Sequence, residues 1–309
     1  MKQRSEQSQG TVYGFLAYLL WGAFPLYFAA LKPATAFEVL CHRILWTLVV
    51  CLIALAATKQ LRFLRDLARD PRRLGTMAVA GVLIAINWVV YIFAVVTGHT
   101  VEAALGYFLN PLVTVALGVI VLREKLRPLQ WVAVGVGVIA CVYLAIDYGR
   151  PPLISITLAL TFAAYGLMKK RIGGSANALQ SLAAESAVLA PVAVVILAVI
   201  TARGETTFTT QGVGHTLLLL STGIATAVPL LLFAAAASRV PLVTIGLLQF
   251  ITPVLQLLCG VLVLGEHMNL ARWIGFAIVW VALAILTVDS LQATTRARRL
   301  ARAAQGAAC

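Results

Sequence analysis

Two stretches of the chain repeat each other at a constant offset of 142 residues. Asn110-Pro111 matches Thr252-Pro253, Gly118 matches Gly260, Glu124 matches Glu266, and Trp131 matches Trp273. The apolar run VIVL at 119–122 returns as VLVL at 261–264. Each stretch belongs to a set of five hydrophobic spans. A five-span unit crosses a membrane an odd number of times, so its second copy enters from the opposite side. Inverted repeats of this kind are the architecture that many secondary transporters use for alternating access.

Composition supports a membrane chain. The residues are 61% hydrophobic and 11% charged, with a mean hydropathy of +0.95. A bilayer core of about 30 Å asks for about 20 apolar residues per helix. Runs of that kind fall at 11–31, 36–57, 75–96, 101–121 and 129–146 (spans 1 to 5), then at 153–169, 178–200, 216–236, 241–263 and 271–289 (spans 6 to 10). The expected fold is an all-α integral membrane protein of ten transmembrane helices in two inverted five-helix repeats, 11–146 and 153–289. A basic cytoplasmic tail follows at 290–309, and the polar remainder is too small for a second soluble domain.

The net charge of +13 is distributed as a topology signal. Lys2, Arg4, Lys59, Arg62, Arg65, Arg69, Arg72, Arg73, Arg123, Lys125, Arg127, Lys169, Lys170, Arg171, Arg239, Arg296, Arg298, Arg299 and Arg302 lie in alternate loops and the two tails, 19 of the 24 basic residues. Cytoplasmic loops collect Lys and Arg, so both termini are expected inside. Membrane lipid is the partner this charge suits, and nucleic acid is not expected. The first apolar run is too long for a secretory signal and lacks a clear small-residue cleavage site. Cys41, Cys51, Cys141 and Cys259 lie in spans and Cys309 ends the tail, so no structural disulfide is expected. No metal-ligand spacing occurs, and neither a metal nor a cofactor is expected.

Charge within a hydrocarbon core is costly, which singles out Arg43 in span 2 and Glu185 in span 7. They are 142 apart and hence equivalent. At 1.5 Å per residue each lies roughly 10 Å below its own surface, leaving a depth gap of about 10 Å. One reading has them flank a central cavity without pairing exclusively. In the other each packs structurally, Arg43 with Glu38 or His42.

Tyr107, Asn110 and Thr114 are spaced i, i+3, i+7 on one face of span 4. Their repeat mates Gln249, Thr252 and Gln256 keep that spacing in span 9. Both stripes pass a proline, Pro111 or Pro253, which frees a backbone carbonyl one turn earlier. Polar side chains beside an opened backbone suit a kinked or discontinuous helix that lines a cavity; they also suit interhelical hydrogen bonds that hold a bundle. Span 3 adds Asn87 and Tyr91, with Trp88 beside them. Span 1 adds Trp21, with Tyr18 and Tyr27, around Pro25, and span 6 adds Tyr165. These aromatics fit a cavity wall or ordinary packing. His99 and Glu102 at the start of span 4, with Glu38 and His42 near the start of span 2, suit gating or proton coupling, or else an interface. Glu124 and Glu266 suggest a shared capping task. Enzyme motifs are absent: there is no P-loop, no H-E-x-x-H and no G-x-S-x-G.

At NWVVYIFAV (87–95), GHTVEAALGYFLNP (98–111) and LREKLRPLQW (122–131) the chain resembles RarD-type EamA proteins of the drug/metabolite transporter superfamily. FEVLCHRILW (37–46), TAVPLLLFAAAA (226–237) and LQFITPVLQ (248–256) agree with them. The resemblance implies two EamA repeats in a bacterial inner-membrane permease of small metabolites or drugs, a group customarily labelled chloramphenicol-sensitive proteins. It also implies that spans 1, 3, 4, 6, 8 and 9 line the central cavity while spans 5 and 10 buttress it.

Overall fold

A computed structural model describes residues 2–123, 126–172 and 176–306 of the chain. Glu124 and Lys125 lie outside the described residues, as do Met1, residues 173–175 and the end of the tail with Cys309. Among the described residues there are helices and turns but no strand. Ten helical segments are long and apolar enough to span a bilayer. Spans 1 to 5 are Glu6–Ala30, Ala36–Ala57, Pro71–Val96, Thr100–Val121 and Pro128–Tyr148. Spans 6 to 10 are Leu153–Lys170, Ala178–Ala202, Gly212–Ala237, Thr244–Val263 and Leu270–Ala293. The last helix runs on from Leu270 to Gly306, so the described part of the basic tail extends span 10. Its sequence, ATTRARRLARAAQ, is rich in the helix formers Ala and Arg.

Local chemistry sets the helix starts. Thr35 accepts a hydrogen bond from the Glu38 amide at 3.2 Å to begin span 2. Asp70 accepts from the amides of Arg72 and Arg73, both at 3.1 Å, ahead of Pro71 in span 3. Asn177 and Gln180 form a reciprocal capping box at span 7. Each satisfies amides that the first turn of a helix cannot bond internally.

The two repeats interleave about a pseudo-two-fold. Span 2 packs on span 7, span 5 on span 10, and span 4 on span 9, each pair mapping onto itself when the repeats are exchanged. The remaining major contacts come in matched sets: span 3 on 6 with span 8 on 1, span 4 on 6 with span 9 on 1, and span 2 on 8 with span 7 on 3. One core cluster draws Phe28, Val39, Ile92, Leu158 and Leu182 from both repeats. A second gathers Phe108, Leu144, Phe276 and Val279 where spans 5 and 10 meet span 4. Apolar residues such as Ile53, Ile139, Val195 and Val213 cover the outside, as a bilayer solvent requires.

Spans 5 and 10 are clasped at both ends. Asp289 receives the Arg127 guanidinium at one end, while Asp147 receives Asn269 at 3.0 Å and Arg272 at 3.4 Å at the other. Asp147 and Asp289 are repeat mates, as are Arg127 and Asn269, so one clasp is built twice. In each clasp a half-exposed arginine reaches a largely buried carboxylate and holds the register of the two spans.

Candidate functional site

Asn87 is the hub of the bundle centre. Its amide nitrogen donates to the Leu158 carbonyl and to Thr161 Oγ1, both at 3.0 Å, and its carbonyl accepts from the Tyr107 hydroxyl at 3.1 Å. One side chain, 1% exposed, thus joins spans 3, 4 and 6. Tyr107 stacks edge-on to Tyr91 at 5.5 Å and to Phe162 at 6.2 Å, and Phe162 leads to Tyr165 at 6.3 Å.

Spans 1 and 9 are both interrupted where they cross. Span 1 breaks at Ala23, ahead of Pro25. Proline has no N–H for the carbonyl four residues back, here Trp21, and the Gln256 amide donates to that oxygen at 3.3 Å. Thr252 donates to the Tyr18 carbonyl at 2.9 Å. Span 9 breaks at Gln249-Phe250, four residues before Pro253, and ends in a π-helical turn, Cys259–Val263. Span 4 runs through Pro111 without interruption. The equivalent prolines therefore act differently: span 4 is held on both flanks, by Ser155 and Leu158 against Gly106 and by Phe276 against Phe108.

The two polar stripes differ in the same way. Thr252 and Gln256 are buried and bonded to span 1, and Gln249 is half-buried. In span 4, Tyr107 bonds to Asn87, Asn110 is half-buried, and Thr114 is exposed. Among the described residues the Tyr91 hydroxyl on span 3, Asn110 Oδ1 on span 4 and Gln256 Oε1 on span 9 are buried without a hydrogen-bond partner. Tyr91 and Gln256 face each other, but no bond of good geometry closes between them. Buried polar atoms in folded proteins are satisfied with few exceptions; His42 Nε2, Thr47 Oγ1 and Thr100 Oγ1 are further exceptions away from the crossing of spans 1 and 9.

Arg43 and Glu185 do not pair. Arg43 donates from Nε to Thr226 Oγ1 at 2.9 Å and lies 3.9 Å from the Trp88 ring centroid, with Phe24 and Phe28 at 5.4 and 5.5 Å. Arg43 makes no hydrogen bond or ion pair with Glu38 or His42 among the described residues. Glu185 accepts from Lys169 at 2.6 Å, Ser181 at 3.0 Å and Tyr165 at 3.1 Å. Lys169, a loop charge on the sequence pattern, in fact reaches back from the end of span 6 to neutralise it. Arg43 has no such partner. Cation–π contact contributes about 2 kcal/mol when desolvated, against a penalty of several kcal/mol for a buried ion.

The four residues near the starts of spans 2 and 4 form separate clusters. Glu38, fully buried, accepts from the amides of Thr207 at 2.7 Å and Phe208 at 3.1 Å and from the hydroxyls of Thr206 and Thr207. Thr207 continues to His215 at 2.8 Å. His42 accepts from the Trp46 indole at 3.2 Å and stacks on Phe208 at 4.6 Å. Glu102 accepts from Arg150 and from the Ile154 amide, both at 3.2 Å, and His99 meets only its own turn at Thr97. A cavity of ≈ 310 Å³ lined by His42, Trp46, Thr201 and Thr206 opens between spans 2 and 7, apart from the Asn87 cluster. Glu266 caps span 4 from the end of span 9, accepting from the amides of Thr100 at 2.5 Å and Val101 at 2.8 Å. Its mate Glu124 lies outside the described residues.

Sequence reasoning missed Lys169, Asp147, Asp289 and the Phe24–Phe28 floor beneath Arg43. Only Asp147 and Asp289 carried a signal, their offset of 142.

The comparisons with known proteins agree with this architecture. The model of the EamA-like transporter family matches residues 8–146 and again 151–288. The "Protein RarD" of Streptomyces exfoliatus is 50% identical over 98% of this chain and 96% of its own length. The "Protein RarD" of Escherichia coli K12 is 37% identical over 93% of this chain and 97% of its own. A solved structure described only as "Crystal structure of protein" superposes with a TM-score of 0.60 at 20% identity, covering 90% of this chain and 97% of that one; it speaks to the fold alone. With its family model matched twice, on two halves that interleave five helices with five, the chain belongs to the EamA-like transporter family as a RarD-type member.

Proposed function

We propose that this membrane transporter moves small organic solutes, metabolites or drugs, by alternating access in the bacterial inner membrane, with both termini in the cytoplasm. The observation that carries this reading is the crossing of spans 1 and 9, where Gln256 bonds the opened Trp21 carbonyl, Tyr91 packs on Phe28, and polar atoms of both Tyr91 and Gln256 are buried without a hydrogen-bond partner. In inverted-repeat transporters, sites form near the midplane where discontinuous helices from both repeats meet. Trp21, Tyr165, Asn110, Thr114, Gln249 and Thr252 complete the proposed cavity wall. Glu38 and His42, with the loop they hold, and Glu102 and His99 on the same side of the bundle, are the proposed gating elements. Rocking of one repeat against the other would open each side in turn. Two different measurements test the reading. Metabolite profiling of cells with and without the protein supplies the candidate solutes, and flux of those solutes into proteoliposomes decides. A receptor or assembly factor built on the same bundle would bind a solute and show no flux.

A further inference from the structure

We propose that Arg43 anchors an anionic group, so that the solute accepted by this bundle carries a carboxylate beside a flat apolar body. The proposal rests on the transporter reading of the same site and narrows its substrate class.

Arg43 is 4% exposed and lies seven residues into span 2, roughly 10 Å from the helix start. Its Nε donates to Thr226, whose own hydroxyl donates to the Thr222 carbonyl at 2.8 Å. The terminal guanidinium nitrogens donate to no group among the described residues. Among the described residues no ion pair includes Arg43, and the phenols of Tyr107, Tyr27 and Tyr91 lie near it. Glu38, one turn away, spends both carboxylate oxygens on the 206–208 segment.

The equivalent position in the other repeat makes the contrast plain. Glu185 is neutralised by Lys169 and receives Ser181 and Tyr165 as well. Among the described residues, Arg43 is therefore a buried positive charge with no ion-pair partner. A guanidinium presents two parallel donors that fit a carboxylate in bidentate fashion. The Tyr91 hydroxyl, buried and unbonded, is a further donor within electrostatic reach. Trp88, Phe24 and Phe28 supply flat apolar walls around the cation. An anion with a planar body satisfies the charge, the free donors and the walls together.

The test uses full-length protein in lipid nanodiscs and three phenyl probes of similar size and different charge: benzoate, benzamide and benzylammonium. Tryptophan fluorescence and the thermal unfolding midpoint read binding. Benzoate is expected to bind saturably, and benzamide and benzylammonium at least about tenfold more weakly, the loss of one charge-assisted contact. Arg43→Gln is expected to remove the preference for benzoate, and Arg43→Lys to retain part of it. Equal binding of benzoate and benzamide by the unaltered protein, absence of benzoate binding, or an Arg43→Gln variant with the full preference would each overturn the proposal. The comparison of probes on the unaltered protein holds even if the variant fails to accumulate. Flux is measured separately. Selective benzoate binding without flux of any solute would leave the anion site standing and remove the transporter reading, whereas flux confined to neutral solutes would do the reverse.

Discussion

Gly81 and Gly223, repeat mates 142 residues apart, are the points where the third helix of each half touches the second helix of the other. A Cβ built on Gly223 falls 2.4 Å from the backbone carbonyl of Trp46, and one built on Gly81 falls 3.3 Å from that of Glu185. The same device thus recurs with unequal tightness, and the tighter contact lies one turn along span 2 from Arg43.

Gly223→Ala is therefore expected to destabilise the protein by about 1–3 kcal/mol, the usual cost of overpacking, and Gly81→Ala by less than about 1 kcal/mol. Thermal unfolding in detergent followed by size-exclusion chromatography measures both. Equal midpoints for the two variants would refute the difference in contact.

Asn110→Ala and Gln256→Ala are expected to reduce solute flux while accumulating close to normal. A single interhelical hydrogen bond contributes about 0.6 kcal/mol on average in a membrane bundle, so loss of the Gln256–Trp21 bond leaves the fold intact. Two normal transporters, or two variants that fail to accumulate, would remove these residues from the cavity.

Arg43→Gln and Glu185→Gln are each expected to impair flux, and the double variant to remain impaired, because the two charges have different partners. The pair that does couple is Lys169–Glu185. Lys169→Gln combined with Glu185→Gln should cost less than the sum of the single changes, by about 0.5–3 kcal/mol. Additive losses would show that the Lys169 contact contributes nothing. Recovery of flux in the Arg43/Glu185 double variant would mean a true ion pair between them.

Reporter fusions at positions 66 and 299 are expected to read cytoplasmic, and one at 205 periplasmic. An external signal at 299 would contradict an even number of crossings and with it the inverted repeat.

Spans and repeat were legible because hydrophobic length and the 142-residue offset are both written along the chain. The lack of a pair between Arg43 and Glu185 was also legible, since rise per residue places them at different heights and the two bind different partners. Their partners were not. Thr226 lies 183 residues from Arg43, and no periodicity joins a side chain to a position on another helix. Lys169 looked like an orienting loop charge because its Cα sits at the end of span 6; only its long stem carries the ammonium inward. Equivalent prolines also misled. Pro111 and Pro253 free the same carbonyl, yet only span 9 breaks, because neighbours decide whether a helix bends at a proline.

The interleaving of the halves bears on how the chain is made. Arg43 finds its acceptor at Thr226, and Asn87 finds the Leu158 carbonyl 71 residues on. A ribosome adding about 5–20 residues per second needs roughly 10–40 s to reach Thr226 after Arg43. Until Thr226 is added Arg43 lacks its hydrogen-bond acceptor, and until Leu158 and Thr161 are added the Asn87 amide nitrogen lacks both of its own. Each buried cluster draws on both halves, so the first five helices alone have no complete core to close around.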